Sequence, residues 1–146
     1  MKPDAFVEAI DDDRIVAAIR EAEARSRGEI RVHVAGHEVA DSRSEAAAVF
    51  ERLGMVKTDE RNGVLIFVAP ESRAIAVVGD RDIHARCGEA FWTEVVGAIR
   101  AEFQSGRFTE GIVAGVRAAG DELARHFPRR PGELDRNELP DEVSRG

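Results

Sequence analysis

TDERNGVLIFVAPESRAIAVVGDRDI, residues 58–83, holds two apolar runs joined by four residues and flanked at their outer ends by acids. VLIFVA (64–69) and AIAVV (74–78) do not alternate with polar residues, and runs of this length rich in β-branched side chains read as strands covered on both faces. PESR (70–73) places Pro70 where a turn accepts it. The pair is therefore expected to form a central antiparallel hairpin. Its outer ends then meet at one edge of the sheet, so Asp59, Glu60 and Asn62 approach Asp80, Asp82 and His84.

Working outward, EIRVHV (29–34) sets Ile30, Val32 and Val34 against Arg31 and His33, a period of two that reads as an edge strand or one with a poorly covered face. Before it, Asp11 to Asp13 mark a helix start, and Ile15, Ala18, Ile19 and Ala22 recur at helical spacing, with Gly28 as a left-handed stop. Ala46, Phe50 and Leu53 mark a second helix ended by Gly54. A strand–helix–strand step with right-handed crossover makes the first strand parallel to the second, so the sheet is mixed. After the hairpin, Phe91, Val95, Ile99 and Phe103 form one helical stripe, and Ile112, Val116, Ala119, Leu123 and Phe127 another. Gly111, Gly115 and Ala119 add small residues every fourth position, a pattern for close packing. The fold class is α/β, a three-layer α/β/α sandwich.

The chain has 146 residues, enough for one domain with its own core. Residues 1–128 are assigned to that domain. Residues 129–146 hold prolines and charges with few large apolar groups and read as a partly disordered tail. With 28 acids against 21 bases, the net charge of −7 opposes nucleic acid and anionic lipid. A divalent cation or a basic protein partner suits the field better. The longest apolar run is too short to span a bilayer, and the acidic N-terminal segment lacks an export signal, so the cytoplasm is the expected compartment.

Cys87 is the sole cysteine, which excludes an intrachain disulfide and reads as a small buried apolar residue. A cysteine phosphatase would need Arg six residues on, where Thr93 stands. Asp80-Arg81-Asp82 matches the Asp-x-Asp of aspartate-nucleophile phosphatases only superficially, because that motif follows a parallel central strand and needs later partners. His33 and His37, taken with Cys87 or His84, lack zinc-finger spacing. The acids Asp59, Glu60, Asp80 and Asp82 remain as candidate ligands for calcium or another divalent cation, which takes six to eight oxygens. Their alternative reading is a solvated charge cluster neutralised by Arg61, Arg73, Arg81 and Arg86.

The order AIREAEARSRGEIRVHV, FERLGMVKTDERNGVLIFVAPESRAIAVVGDRDI and FQSGRFTEGIVAGVRAAGDELARHFP resembles the TPM domain family from about Ile15 to Pro128. Thr58, Asn62 and Gly63 leading into VLIFVA, and the later SGRFTEGI, carry the likeness. NELPDEV (137–143) further resembles a compact bacterial branch without membrane anchors. The resemblance implies a Rossmann-like sandwich, acid phosphatase activity in some members and calcium binding in others. Where many longer relatives carry a glycine-rich GxGLE segment after the hairpin, this chain has GDRDIHARCGE. The expected function is a non-enzymatic binding or auxiliary module with a divalent-cation site; the alternative is a metal-assisted phosphatase of low activity.

Overall fold

A computed structural model describes residues 10–57, 62–72, 74–128 and 142–146. The order is α1 (Asp12–Ala24), β1 (Glu29–Val34), α2 (Ser42–Arg52), a 3-10 turn (Met55–Lys57), β2 (Gly63–Ala69), β3 (Ala74–Gly79), α3 (Arg81–Cys87), α4 (Glu89–Phe103), α5 (Phe108–His126) and β4 (Ser144–Arg145). The strands form one mixed sheet in the order β3-β2-β1-β4. β1 runs parallel to β2 and β4, whereas β2 and β3 are antiparallel. Helices cover both faces, so the chain is the expected three-layer sandwich. Among the described residues no helix is long and apolar enough to cross a membrane.

β2 explains why the hairpin decides the fold. All seven of its residues are buried, and alternate side chains enter two separate cores. Val64, Ile66 and Val68 join Ile30, Val32 and Val34 under α1, α4 and α5, while Leu65, Phe67 and Ala69 pack with α2. Burial of each such side chain contributes roughly 1.5–3 kcal/mol before entropy is counted. Only a strand with apolar residues on both faces can occupy this position.

Two strand assignments are corrected. β3 is the sheet's edge rather than a central strand, and four of its six residues are only half-buried. Its apolar run resembles that of β2, but only β2 pairs with it among the described residues. β1, read as an edge or a poorly covered strand, lies between β2 and β4 with all six residues buried. Its polar side chains are enclosed rather than wet.

Helix ends follow local chemistry. Asp11 caps α1 by accepting from the Arg14 N–H at 3.2 Å, and Asp41 caps α2. Gly54 takes φ 73° just beyond α2, as its sequence position implied. Gly28 is not a left-handed stop: α1 ends at Ala24 with Arg25 as its cap, and a Cβ at Gly28 would lie 2.7 Å from Leu123. Close approach of α5 requires the glycine there. The small-residue stripe works similarly, since a Cβ at Gly115 would lie 2.5 Å from Ile99 of α4.

At the other end of the chain, residues 142–146 return to the sheet. Ser144 and Arg145 pair with His33 and Val34, Arg145 donates to Asp12 at 2.6 Å, and Gly36 N–H donates to the Gly146 carbonyl at 3.1 Å. These five residues are structure rather than unattached tail. Residues 129–141 of the expected tail lie outside the described residues.

Candidate functional site

The antiparallel register places the two ends of the hairpin together as the sequence implied. Val64 pairs with Gly79, and the Asp80 N–H donates to the Gly63 carbonyl at 2.9 Å. Asp59 and Glu60 lie outside the described residues. Of the four candidate acids, Asp80 and Asp82 can therefore be placed.

Both belong to a helix that sequence periodicity did not show. Asp80 is the N-cap of α3, its side chain accepting from the Arg81 N–H at 2.7 Å, and it is 6% exposed. Asp82 sits in the first turn, half-buried, with the Arg81 guanidinium 3.5 Å away. Acids at a helix start are favoured by the unsatisfied N–H groups and the positive end of the dipole. His84, expected near this edge, donates its backbone N–H to the Asp80 carbonyl at 3.4 Å and packs its ring on Trp92 at 4.9 Å.

Asn62 is the third described residue at the edge. Its amide donates to the Arg27 carbonyl at 2.8 Å and the residue is 1% exposed. The Asn62 Oδ1 is buried without a hydrogen-bond partner among the described residues. A buried carbonyl oxygen of this kind suits a hard cation by type, and so do the carboxylates of Asp80 and Asp82. The donor set thus fits calcium by type, with Asp59 and Glu60 two to three positions before Asn62.

Two other features contrast with this edge. A cleft of about 430 Å³ opens by the hairpin turn, at the opposite end of β2, lined by Ala69, Ala74, Ile75, Arg100, Phe103, Gln104 and Phe108. Among the described residues its one charged lining residue, Arg100, is a cation, and none offers a carboxylate for a metal. On β1, His33 is 1% exposed, stacks on Phe67 and lies 2.9 Å through Nδ1 from the Ser144 hydroxyl. Burial pushes its imidazole down to about 4, and the charges of Arg52, Arg31 and His37 act in the same direction. It is a neutral, enclosed histidine at neutral pH.

Sequence reasoning missed a further cluster where α3, α4 and α5 converge. One donor atom from each of Cys87, Glu122 and His126 falls within 4.8 Å of the others. Glu122 and His126 share a helix face at i, i+4, a spacing visible in the sequence. Cys87 joins them only through the packing of α3 on α5.

The arrangement has relatives. BA42 from the psychrophilic bacterium Bizionia argentinensis is 39% identical, with 92% of each chain covered and a TM-score of 0.85. The N-terminal domain of a P. gingivalis protein shares the fold at 18% identity and a TM-score of 0.61, over 78% of this chain and 76% of the other. The pattern of the TPM domain matches residues 3–122, which include α1 to α4, the hairpin and most of α5. The sequence likeness seen in the strand leads and the fold that those strands build converge on one conclusion: the chain belongs to the TPM domain family.

Proposed function

We propose that this TPM domain is a non-enzymatic binding or auxiliary module whose hairpin edge holds a divalent cation, calcium by preference, through Asp59, Glu60, Asp80 and Asp82. The observation that carries the reading is the closure of Asp80 onto Gly63, the residue that follows Asn62 with its buried Oδ1. Asp59 and Glu60 precede the same hairpin end in the sequence, and the net charge of −7 favours a cation over a phosphorylated substrate. A protein partner recognising the loaded edge follows as the module's role.

Its placement disfavours Asp80 as a phosphoryl acceptor. Its side chain is engaged at the N-cap of α3 and follows an antiparallel edge strand. Nor is Cys87 a ready nucleophile, because burial and the nearby Glu122 push its thiol up to about 11. A bound cation would supply charge neutralisation at the edge. Asp80 and Asp82 would hold it, with the Asn62 Oδ1 as a further oxygen donor.

Calcium titration of the full chain tests this. Amide resonances of residues 79–84 should shift saturably, and a calcium concentration of about 100 times Kd should add about 2.7 kcal/mol of stability. Asp80→Asn with Asp82→Asn should remove both effects while keeping the helix cap, since Asn also caps well. Unshifted amides with an unchanged melting temperature would remove the cation site. Calcium-dependent hydrolysis of a phosphomonoester, lost in the same double variant, would replace the module by the metal-assisted phosphatase.

A further inference from the structure

The convergence of Cys87, Glu122 and His126 carries an inference separate from the hairpin edge. Cys87 is the last residue of α3, whereas Asp80 precedes its first, so the two regions stand about 10 Å apart at 1.5 Å per residue. The cluster combines a thiol, an imidazole and a carboxylate. Calcium has little use for sulfur or nitrogen, whereas zinc binds cysteine, histidine and carboxylate together.

Geometry supports the assignment. His126 Nε2 and Glu122 Oε2 are 3.4 Å apart. Two ligands each about 2.1 Å from a tetrahedral zinc ion are separated by about 3.4 Å, so this pair already spans one edge of the required tetrahedron. The three donor atoms lie within 4.8 Å of one another, leaving closure to small side-chain rotations. Glu122 is held in place from its other oxygen by Arg125 at 2.8 Å.

The surroundings supply a route for an ion. His126 is partly open, with 30% of its side chain exposed. The Arg125 and His126 contacts explain one buried carboxylate. They do not explain why a thiol converges on it. A divalent cation would be coordinated by the Cys87 thiolate, Glu122 and His126, leaving the loaded cluster neutral with a fourth position for water.

We propose that Cys87, Glu122 and His126, with water as the fourth ligand, form a tetrahedral zinc site that ties the end of α3 to the last turns of α5. Binding converts the Cys87 thiol to a thiolate and releases its proton to solvent; no electron transfer is involved.

Cobalt(II) titration of the reduced, metal-free full chain tests the site, because cobalt reports sulfur ligation and tetrahedral geometry by absorption. One equivalent should produce an intense thiolate-to-cobalt band with tetrahedral ligand-field bands. Zinc should displace it at one equivalent, and calcium in excess should not. Cys87→Ser should abolish the sulfur band, and His126→Gln should weaken zinc binding by about tenfold or more. Circular dichroism separates lost binding from lost folding, and His126→Gln provides a partly exposed change should Glu122→Gln fail to fold. A six-coordinate cobalt spectrum without the sulfur band, or unchanged zinc affinity in Cys87→Ser, would overturn the proposal. Calcium effects at residues 79–84 that persist in Cys87→Ser would separate the two sites.

Discussion

The two faces of the sheet are built differently although the same strands make both. Under α1, α4 and α5 the sheet presents Ile30, Val32, Val34, Val64, Ile66 and Val68, a continuous apolar surface. Toward α2, Leu65, Phe67, Ala69 and Ala76 are apolar, but β1 contributes Glu29, Arg31 and His33, all buried. One face is held by hydrophobic burial throughout; the other combines a smaller apolar core with enclosed polar groups. Polar alternation in a strand therefore marks which face carries polar side chains and does not by itself mark exposure. Such groups must find partners inside, which makes that face sensitive to charge and to the chain end that covers it.

Damage to the apolar face should have the largest effect. Ile66→Ala should cost about 2–5 kcal/mol, measured by denaturant unfolding, because Ile66 is fully buried in the core under α1, α4 and α5 and its neighbours cannot collapse completely. Loss of less than 1 kcal/mol would dissolve the distinction between the faces.

Removing residues 142–146 should cost less, about 1–3 kcal/mol, by withdrawing the β4 ladder, the Ser144 contact to His33 and the Arg145–Asp12 pair. Thermal melts should show the drop, and an unchanged transition would return these residues to the status of a dispensable tail.

Acid should act through the polar face. His33 has a native pKa of about 4, below the ordinary histidine value of about 6.5, so the unfolded chain binds more protons between those values. The stabilising preference for neutral His33 is present above about 6.5 and is lost as pH falls toward 4. Between pH 7 and 5.5 the loss should be about 1 kcal/mol, and His33→Gln should flatten that part of the stability profile. The smallest effect belongs to the surface: Asp121→Ala breaks an exposed pair with Arg25 and should change stability by less than about 1 kcal/mol.

Much of the fold was legible because helices and the β2 strand announce themselves through unbroken local patterns. β3 and β1 were misplaced because centrality depends on neighbours, and the partner of β1 at Ser144 lies 111 residues beyond His33. At the candidate edge, the meeting of Gly63 and Asp80 was legible from antiparallel pairing. The α3 helix was not, since seven residues give too few repeats to show a period. Even so, Asp80 as cap, Asp82 in the first turn and Arg86 in the last carried a readable signal. The Cys87 cluster needed tertiary packing, as no local rule joins Cys87 to a pair 35 and 39 residues later.

The position of β4 also sets a clock. β2 and β3 are joined by a four-residue turn, and hairpins form in about 1–10 μs, so this pair can close early. β1 must wait for α2 to cross over, and β4 can dock only where β1 already offers an edge, after a search across more than a hundred residues. Contacts of such long span slow the final step of folding. The same strand, only two residues long, should be first to open in the native state. Amide exchange at Gly146, which donates to Val34, should run ahead of exchange at β2, so that the molecule loosens at the strand it completes last.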